Sequence, residues 1–219
     1  MPCPKPGLLA AGLGLASLLA LAGAARAEPR TYVIDTQRSQ LMVQVFKSGM
    51  LSGLGHDHLF LPQRWNGQIR FDPSAPEQTV VQLRVFADSL RDHEPGLSDA
   101  DRAKVEAQTR GQVLEAERFP TIVLDATSLA LDMPASPAGG GLEVHGVLVG
   151  TFTLHGVTRP LRIPVHATVT EGGISGTGGV TLSLKEFGIK PASAALGAVS
   201  VKDQVQVSFD LAAKPEAPR

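Results

Sequence analysis

The chain has 219 residues, with 20 basic and 21 acidic side chains, a formal net charge of −1 and 43% hydrophobic residues. A chain of this size can bury a substantial core as one domain. The sequence has no basic stripe interleaved with aromatic residues, and the charge balance is slightly acidic. Both features argue against nucleic acid as a partner.

The first 27 residues have the pattern of a secretory signal peptide. Lys5 precedes an apolar run that reaches about Ala24, and Ala25-Arg26-Ala27 fits a small-x-small cleavage site. A transmembrane anchor is the alternative, but the run is rich in Ala and Gly and no stop-transfer cluster of charges follows it. The sequence therefore predicts a periplasmic protein without a stable membrane span after cleavage.

Cleavage would also remove the single cysteine, Cys3. A mature chain that starts at Glu28 would have no thiol, so disulfides, thiolate metal sites and cysteine nucleophiles are excluded. Its stability must come from burial of apolar surface.

The rest of the chain is a succession of alternating apolar and polar segments separated by Gly, Pro and Asn. This alternation predicts strands with one buried face. The predicted strands cover residues 32–36, 41–47, 65–71, 80–86, 121–131, 142–154, 161–170, 173–184 and 199–211. One domain is predicted over residues 28–211, with 212–219 as a flexible tail.

A single helix interrupts the strands over residues 98–117. Ser98 can cap its first amides, Asp99 and Asp101 suit its first turn, and helix formers continue to Glu117. Its apolar stripe is modest, so we expect it to lie on the barrel or cover one end. The loop after the next strand, residues 132–141, is rich in Pro and Gly and is predicted to be a mobile connection.

The segment from Gly146 to Val165 predicts a hairpin. Gly156 permits a tight turn, and Pro160 fixes the backbone where the second strand is expected to begin. Gly146 and Gly150 share a face with Leu148, so they would either tighten the curvature of a barrel or widen its lumen.

An antiparallel meander of this length must protect its edge strands, and closure into a barrel does so completely. The predicted fold class is therefore all-β, an antiparallel barrel of about eight strands with one short helix. A sandwich remains the alternative at this point.

Six motifs in the same order resemble the YceI-like family of periplasmic polyisoprenoid-binding proteins. The most specific is GTFTLHGVTRP at residues 150–160, similar to the family signature G-x-L-T-L-x-G-V-T-K/R-P. The others are YVID at 32–35, GQIRFDP at 67–73, RFPTI at 118–122, EFGI at 186–189 and VKDQV at 201–205.

The resemblance implies a lipocalin-like barrel whose apolar interior holds an isoprenoid chain, such as a polyprenyl phosphate or a quinone tail. No other cofactor is implied. The residues expected to line the lipid site are Val43, Val45, Phe71, Leu83, Val85, Leu148, Gly150, Phe152, Leu182 and Phe209. The alternative for these residues is an ordinary packed core.

His56-Asp57-His58 is the one cluster that suggests metal chemistry. Two histidines at i and i+2 share a face in extended chain, and imidazole is a common ligand for zinc or copper. The alternatives are hydrogen bonds to backbone or carboxylate groups and contact with a ligand head group. A third metal ligand, such as His93 or Glu94, would have to come from elsewhere.

The sequence contains no nucleophile elbow, zinc-protease helix or phosphate-binding loop, so an enzyme is not predicted. His145, His155 and His166 lie in or beside strands and are expected to be structural. The leading function is a lipid carrier. The alternatives are a metal-binding or stress-related module and a solidly packed barrel that binds a partner through its loops. A homodimer stays open.

Overall fold

The structure is a computed structural model that describes residues 28–49, 57–191, 193–194 and 199–217. These residues form thirteen strands and one main helix, α1 (Asp99–Gln108). The strands are β1 (Arg30–Ile34), β2 (Gln40–Ser48), β3 (His58–Pro62), β4 (Trp65–Phe71), β5 (Val80–Phe86), β6 (Leu90–Asp92), β7 (Thr121–Leu131), β8 (Ser136–Ala138), β9 (Gly141–Leu154), β10 (Val157–Thr170), β11 (Gly173–Ser183), β12 (Ser193–Ala194) and β13 (Val199–Pro215).

The sheet closes into an antiparallel barrel with eight wall positions, as predicted. Its order is β1-β4-β5-β7-β9-β10-β11-β13, and β13 returns to pair with β1. At three of the eight positions, two successive strands lie end to end: β1 with β2, β3 with β4, and β5 with β6. β2 pairs with β13 beyond β1, β3 pairs with β2, and β6 pairs with β3. Closure leaves the eight-stranded wall without a free edge along most of its length.

The helix lies at the end of the barrel that β3 and β6 form. It begins as predicted, because the Ser98 hydroxyl accepts a hydrogen bond from the backbone N–H of Asp101 at 3.2 Å. After Gln108 the chain widens into a π-helical turn, Thr109–Val113, in which the N–H of Leu114 donates to Thr109 O at 2.9 Å. The helical segment therefore ends four residues before the predicted Glu117.

Two clusters of buried apolar side chains lie in the two halves of the barrel. One is built around Tyr32, Phe71 and Leu148. The other lies at the helix end around Phe60, Leu114 and Phe187. Val105 and Val113 of the helical segment pack against this second cluster, so the helix covers one end of the barrel.

Several predicted boundaries were wrong for a shared reason. The short strands β3, β6, β8 and β12 were missed, because each has five residues or fewer, too few to show an alternating pattern, and exists only through its pairing with another strand. The predicted connection 132–141 contains β8, which pairs with the start of β9. β13 continues past Leu211, the predicted end of the domain, because residues 213–215 pair with β1. The signal peptide, residues 1–27, lies outside the described residues.

The predicted hairpin is the most regular part of the sheet. β9 and β10 pair without interruption from Leu154 opposite Val157 to Leu142 opposite Val169. Their turn consists of His155 and Gly156, with φ of 52° and 74°, as a two-residue hairpin turn requires. The prediction that the second strand begins at Pro160 was wrong. Pro160 lies inside β10, opposite Thr151. β11 pairs with β10 only from Val165 onward, so Pro160 removes no donor from that ladder.

Candidate ligand cavity

An apolar cavity of about 310 Å³ lies inside the barrel. Members of both core clusters line it, including Phe71 from one and Leu182 from the other. The cavity therefore extends along the barrel between the two clusters. Its volume is at the lower end of the range typical of small-molecule sites.

Nine of the ten predicted lipid-site residues line this cavity. They are Val43, Val45, Phe71, Leu83, Val85, Leu148, Phe152, Leu182 and Phe209. Several of them, such as Leu83 and Phe209, are only half-buried although they face the interior. Inward side chains keep accessible surface because they border empty space, which distinguishes this barrel from a solidly packed one.

Gly150, the tenth residue, does not line the cavity. A Cβ atom at Gly150 would overlap Asp125 O and Ala126 Cα of β7. β7 also carries a bulge at this place, between Ala126 and Ser128. Of the two roles considered for the strand glycines, the structure therefore favours curvature of the wall over a wider lumen.

Gly146, four residues before Gly150 on β9, has a similar environment. A Cβ there would overlap Ala130 O and lie 3.1 Å from Ala130 C, again on β7. Both glycines thus permit a close approach of two backbones.

β3 contributes one ionisable side chain, His58, to the cavity wall. Its Nδ1 lies 2.7 Å from Asp92 Oδ2, and the Asp92 side chain is fully buried. Because a carboxylate only accepts, the neutral His58 ring carries its proton on Nδ1 and leaves Nε2 as an acceptor. The barrel end near the helix therefore has an ionisable side chain, His58, in a mostly apolar surface.

Asp92 is held in turn by its own neighbours. Its Oδ1 accepts from the backbone N–H of Glu94 at 2.9 Å, and its own N–H donates to Glu106 Oε1 at 3.1 Å. Arg102 of α1 donates to the carbonyl oxygens of Asp92 and Glu94. These contacts join the helix to β6 and fix the orientation of His58.

Asp57 of the His-Asp-His cluster makes a contact of its own, apart from this pair. Asp57 Oδ1 accepts from the backbone N–H of Lys47 at 2.8 Å and so anchors the start of β3 to β2. His56 lies outside the described residues. A metal site at His56 and His58 stays a prediction.

Sequence reasoning missed the helix side of the cavity. Val105, Gln108, Thr109 and Leu114 all line it. The modest apolar stripe predicted that the helix covers the barrel, but periodicity alone does not show that residues of a covering helix border a cavity. Asp92 was missed as the partner of His58, because the two are 34 residues apart and no local pattern links them.

Comparison with known proteins agrees with this architecture. A family model described as the YceI-like domain matches residues 32–213. A UPF0312 protein of Shewanella sp. strain ANA-3 is 32% identical over 207 residues, which cover 87% of this chain and 93% of the relative. A UPF0312 protein of Shewanella sp. strain W3-18-1 is 30% identical over 199 residues, covering 85% and 88%.

Solved structures share the fold at low sequence identity. A polyisoprenoid binding domain from Saccharophagus degradans, implicated in plant cell wall breakdown, superposes with a TM-score of 0.60 at 12% identity and covers 86% of this chain and 100% of that one. BcnA of Burkholderia cenocepacia gives a TM-score of 0.58 at 16% identity, covering 82% and 98%. Within the described part of the chain, no helix is long and apolar enough to cross a bilayer.

Proposed function

Because this chain belongs to the YceI-like family and its barrel encloses an apolar cavity, we propose that it is an exported binding protein that carries an isoprenoid lipid. The cavity between the two core clusters is the observation that supports this function. A long apolar chain bound there would lose its contact with water, which stabilises the complex by about 25 cal/mol per Å² of buried surface before the costs of binding.

The chemistry of the cavity wall supports a chain-like ligand with one polar end. Leu83, Phe152 and Phe209 offer apolar contacts along the interior, whereas His58 adds a polar group near the helix. A hydroxyl on the ligand would donate to Nε2 of His58, the ring nitrogen that is not bonded to Asp92. The resemblance to a polyisoprenoid binding domain also favours isoprenoids among apolar ligands.

The decisive experiment is native mass spectrometry of the untagged protein purified from its own host, together with mass spectrometry of its solvent extract. We expect a bound mass that the extract identifies as a polyprenyl phosphate or a quinone with an isoprenoid tail. The same spectrum gives the chain mass, and a mass that begins at Glu28 would support export by signal cleavage. A barrel that is empty when isolated from its host would contradict the carrier function.

A matched pair of variants tests whether the lipid occupies the cavity. Leu83 lines the cavity, whereas its neighbour Arg84 on β5 is exposed outside the barrel. Leu83→Trp should fill part of the lumen and weaken binding of a long-tailed quinone by at least about tenfold, since a ligand that must displace an indole loses apolar contact. Arg84→Trp should bind as the unaltered protein does. Equal binding by Leu83→Trp and the unaltered protein would place the lipid elsewhere.

A further inference from the structure

The outer face of the β9–β10 hairpin carries a group of three side chains that the lipid-binding function does not use. His145 of β9 and His166 of β10 are directly opposite each other in the ladder. Glu143 is two residues before His145 and therefore lies on the same face of β9. The alternate residue Val144 is buried in the core, so these three side chains lie on the outer face of the wall, where His166 also borders the cavity lining.

The geometry of the group is close to that of a ligand set. The two imidazole rings stack with centroids 4.1 Å apart and an interplanar angle of 11°. Glu143 Oε1 lies 2.9 Å from His166 Nε2 and 3.5 Å from His145 Nε2. All three ligand atoms lie within 4.8 Å of one another.

These separations match the requirements of a metal ion. Ligands about 2.0–2.1 Å from a tetrahedral zinc are about 3.4 Å from one another. The two Glu143 distances lie on either side of this value, and side-chain rotations that unstack the two imidazole rings would bring the three atoms onto one ion. Among the residues that the structure describes, this is the only group of three histidine or acidic side chains with such spacing.

We propose that Glu143, His145 and His166 form a site for a divalent transition metal, zinc being the ion that their chemistry fits best. Two imidazoles and one carboxylate are a ligand set that zinc uses where a further coordination position stays open. The side chains of His145 and His166 are 37% and 49% exposed, so water or a partner's ligand atom can occupy that position.

The scaffold holds these residues in place without a metal. The two histidines belong to the uninterrupted ladder between β9 and β10, and β8 pairs with Glu143 through Ser136. The hydrogen bond from His166 lowers the pKa of Glu143, although partial desolvation acts in the opposite direction. A bound metal ion would replace the Nε2 proton of His166 that lies between this histidine and Glu143.

The test is a zinc titration of the untagged protein by isothermal calorimetry, with metal analysis after dialysis. The double variant His145→Gln/His166→Gln should lose one bound equivalent of zinc, and Glu143→Gln should bind at least about tenfold more weakly. Glu171→Gln is the matched control, since Glu171 is an exposed carboxylate just beyond the same hairpin, and it should bind zinc unchanged. Counting equivalents separates this site from any zinc held at His56 and His58.

A second measurement does not depend on the variants. In a crystal of the unaltered protein grown with zinc, anomalous scattering should show an ion between His145 Nε2, His166 Nε2 and Glu143. An unchanged zinc stoichiometry and affinity in the double variant would overturn the proposal, and so would a zinc-grown crystal without an ion at this position. Neither result would affect the lipid-binding function, because that function is argued from the apolar cavity and His58 and not from these three side chains.

Discussion

Replacing Gly150 by alanine tests whether the strand glycines shape the wall of the barrel. A Cβ atom at this position overlaps Asp125 O and Ala126 Cα and lies 2.8 Å from Asp125 C, whereas ordinary contact begins at 3.4 Å. Even the least crowded of the three atoms must move by about 0.6 Å. All three belong to the backbone of β7, so no side-chain rotation relieves the overlap.

The size of the effect follows from this displacement. Overpacking of a well-packed interior costs about 1–3 kcal/mol, and a fixed backbone places this site at the upper end. Lengthening of a ladder hydrogen bond beside the β7 bulge adds up to about 1 kcal/mol. The alanine recovers about 0.4–1 kcal/mol, because it restricts the unfolded chain. The net loss in the free energy of unfolding is about 2–3 kcal/mol, or a Tm lower by about 5–10 °C for a domain of this size.

The assay is urea and thermal unfolding followed by circular dichroism. Gly111→Ala is the matched control, because Gly111 lies in the helical segment and a Cβ there meets nothing within 4 Å. This control should be unchanged or up to about 1 kcal/mol more stable. A Gly150→Ala protein as stable as the unaltered chain would refute the role in curvature. A folded Gly150→Leu protein that has lost lipid binding would restore the lumen role.

Two carboxylates allow further tests by urea unfolding. Asp92→Ala should lower the free energy of unfolding by about 3 kcal/mol, because it leaves the His58 proton and a backbone N–H buried without an acceptor. Asp88→Ala is the exposed control and should cost less than about 1 kcal/mol. Equal losses in the two variants would contradict the buried role of Asp92. The hydrogen bond from Ser183 lowers the pKa of Asp203, so the contribution of Asp203 to stability is complete above the unfolded-state pKa and is lost as the pH falls through the folded-state value. The Asp203→Asn protein should therefore be less stable at pH 7, and the difference should shrink as the pH falls below the unfolded-state pKa. A difference that stays constant in acid would exclude this linkage.

The long strands could be predicted from the sequence because their information is local. β4, β5 and β7 have the predicted bounds, since alternation over about seven residues has few other solutions, and in β7 it resumes after the bulge between Ala126 and Ser128. β3 and β6 could not be predicted in this way. Each becomes a strand only because a partner distant in sequence supplies its hydrogen bonds, and single-sequence patterns do not contain this information.

The candidate sites divide in the same way. Nine of the ten residues that alternation placed inward line the cavity, but alternation gave no means to find the pairing of His58 with Asp92. The cross-strand pair of His145 and His166 was available from the sequence. A two-residue turn after Leu154 fixes the register of the hairpin, and nine residues further along each strand the two histidines meet.

The placement of the glycines indicates that the volume of the cavity is determined by its inward side chains. Gly146 and Gly150 bend the wall and add no space, so the room inside the barrel depends on the sizes of the inward side chains, such as Leu83 and Phe152. These side chains are half-buried and have space on one side, so changes in their volume alter the lumen without overpacking a filled core. Ligand preference can therefore shift through substitutions at such positions while the curvature, set by backbone contacts between β7 and β9, stays constant.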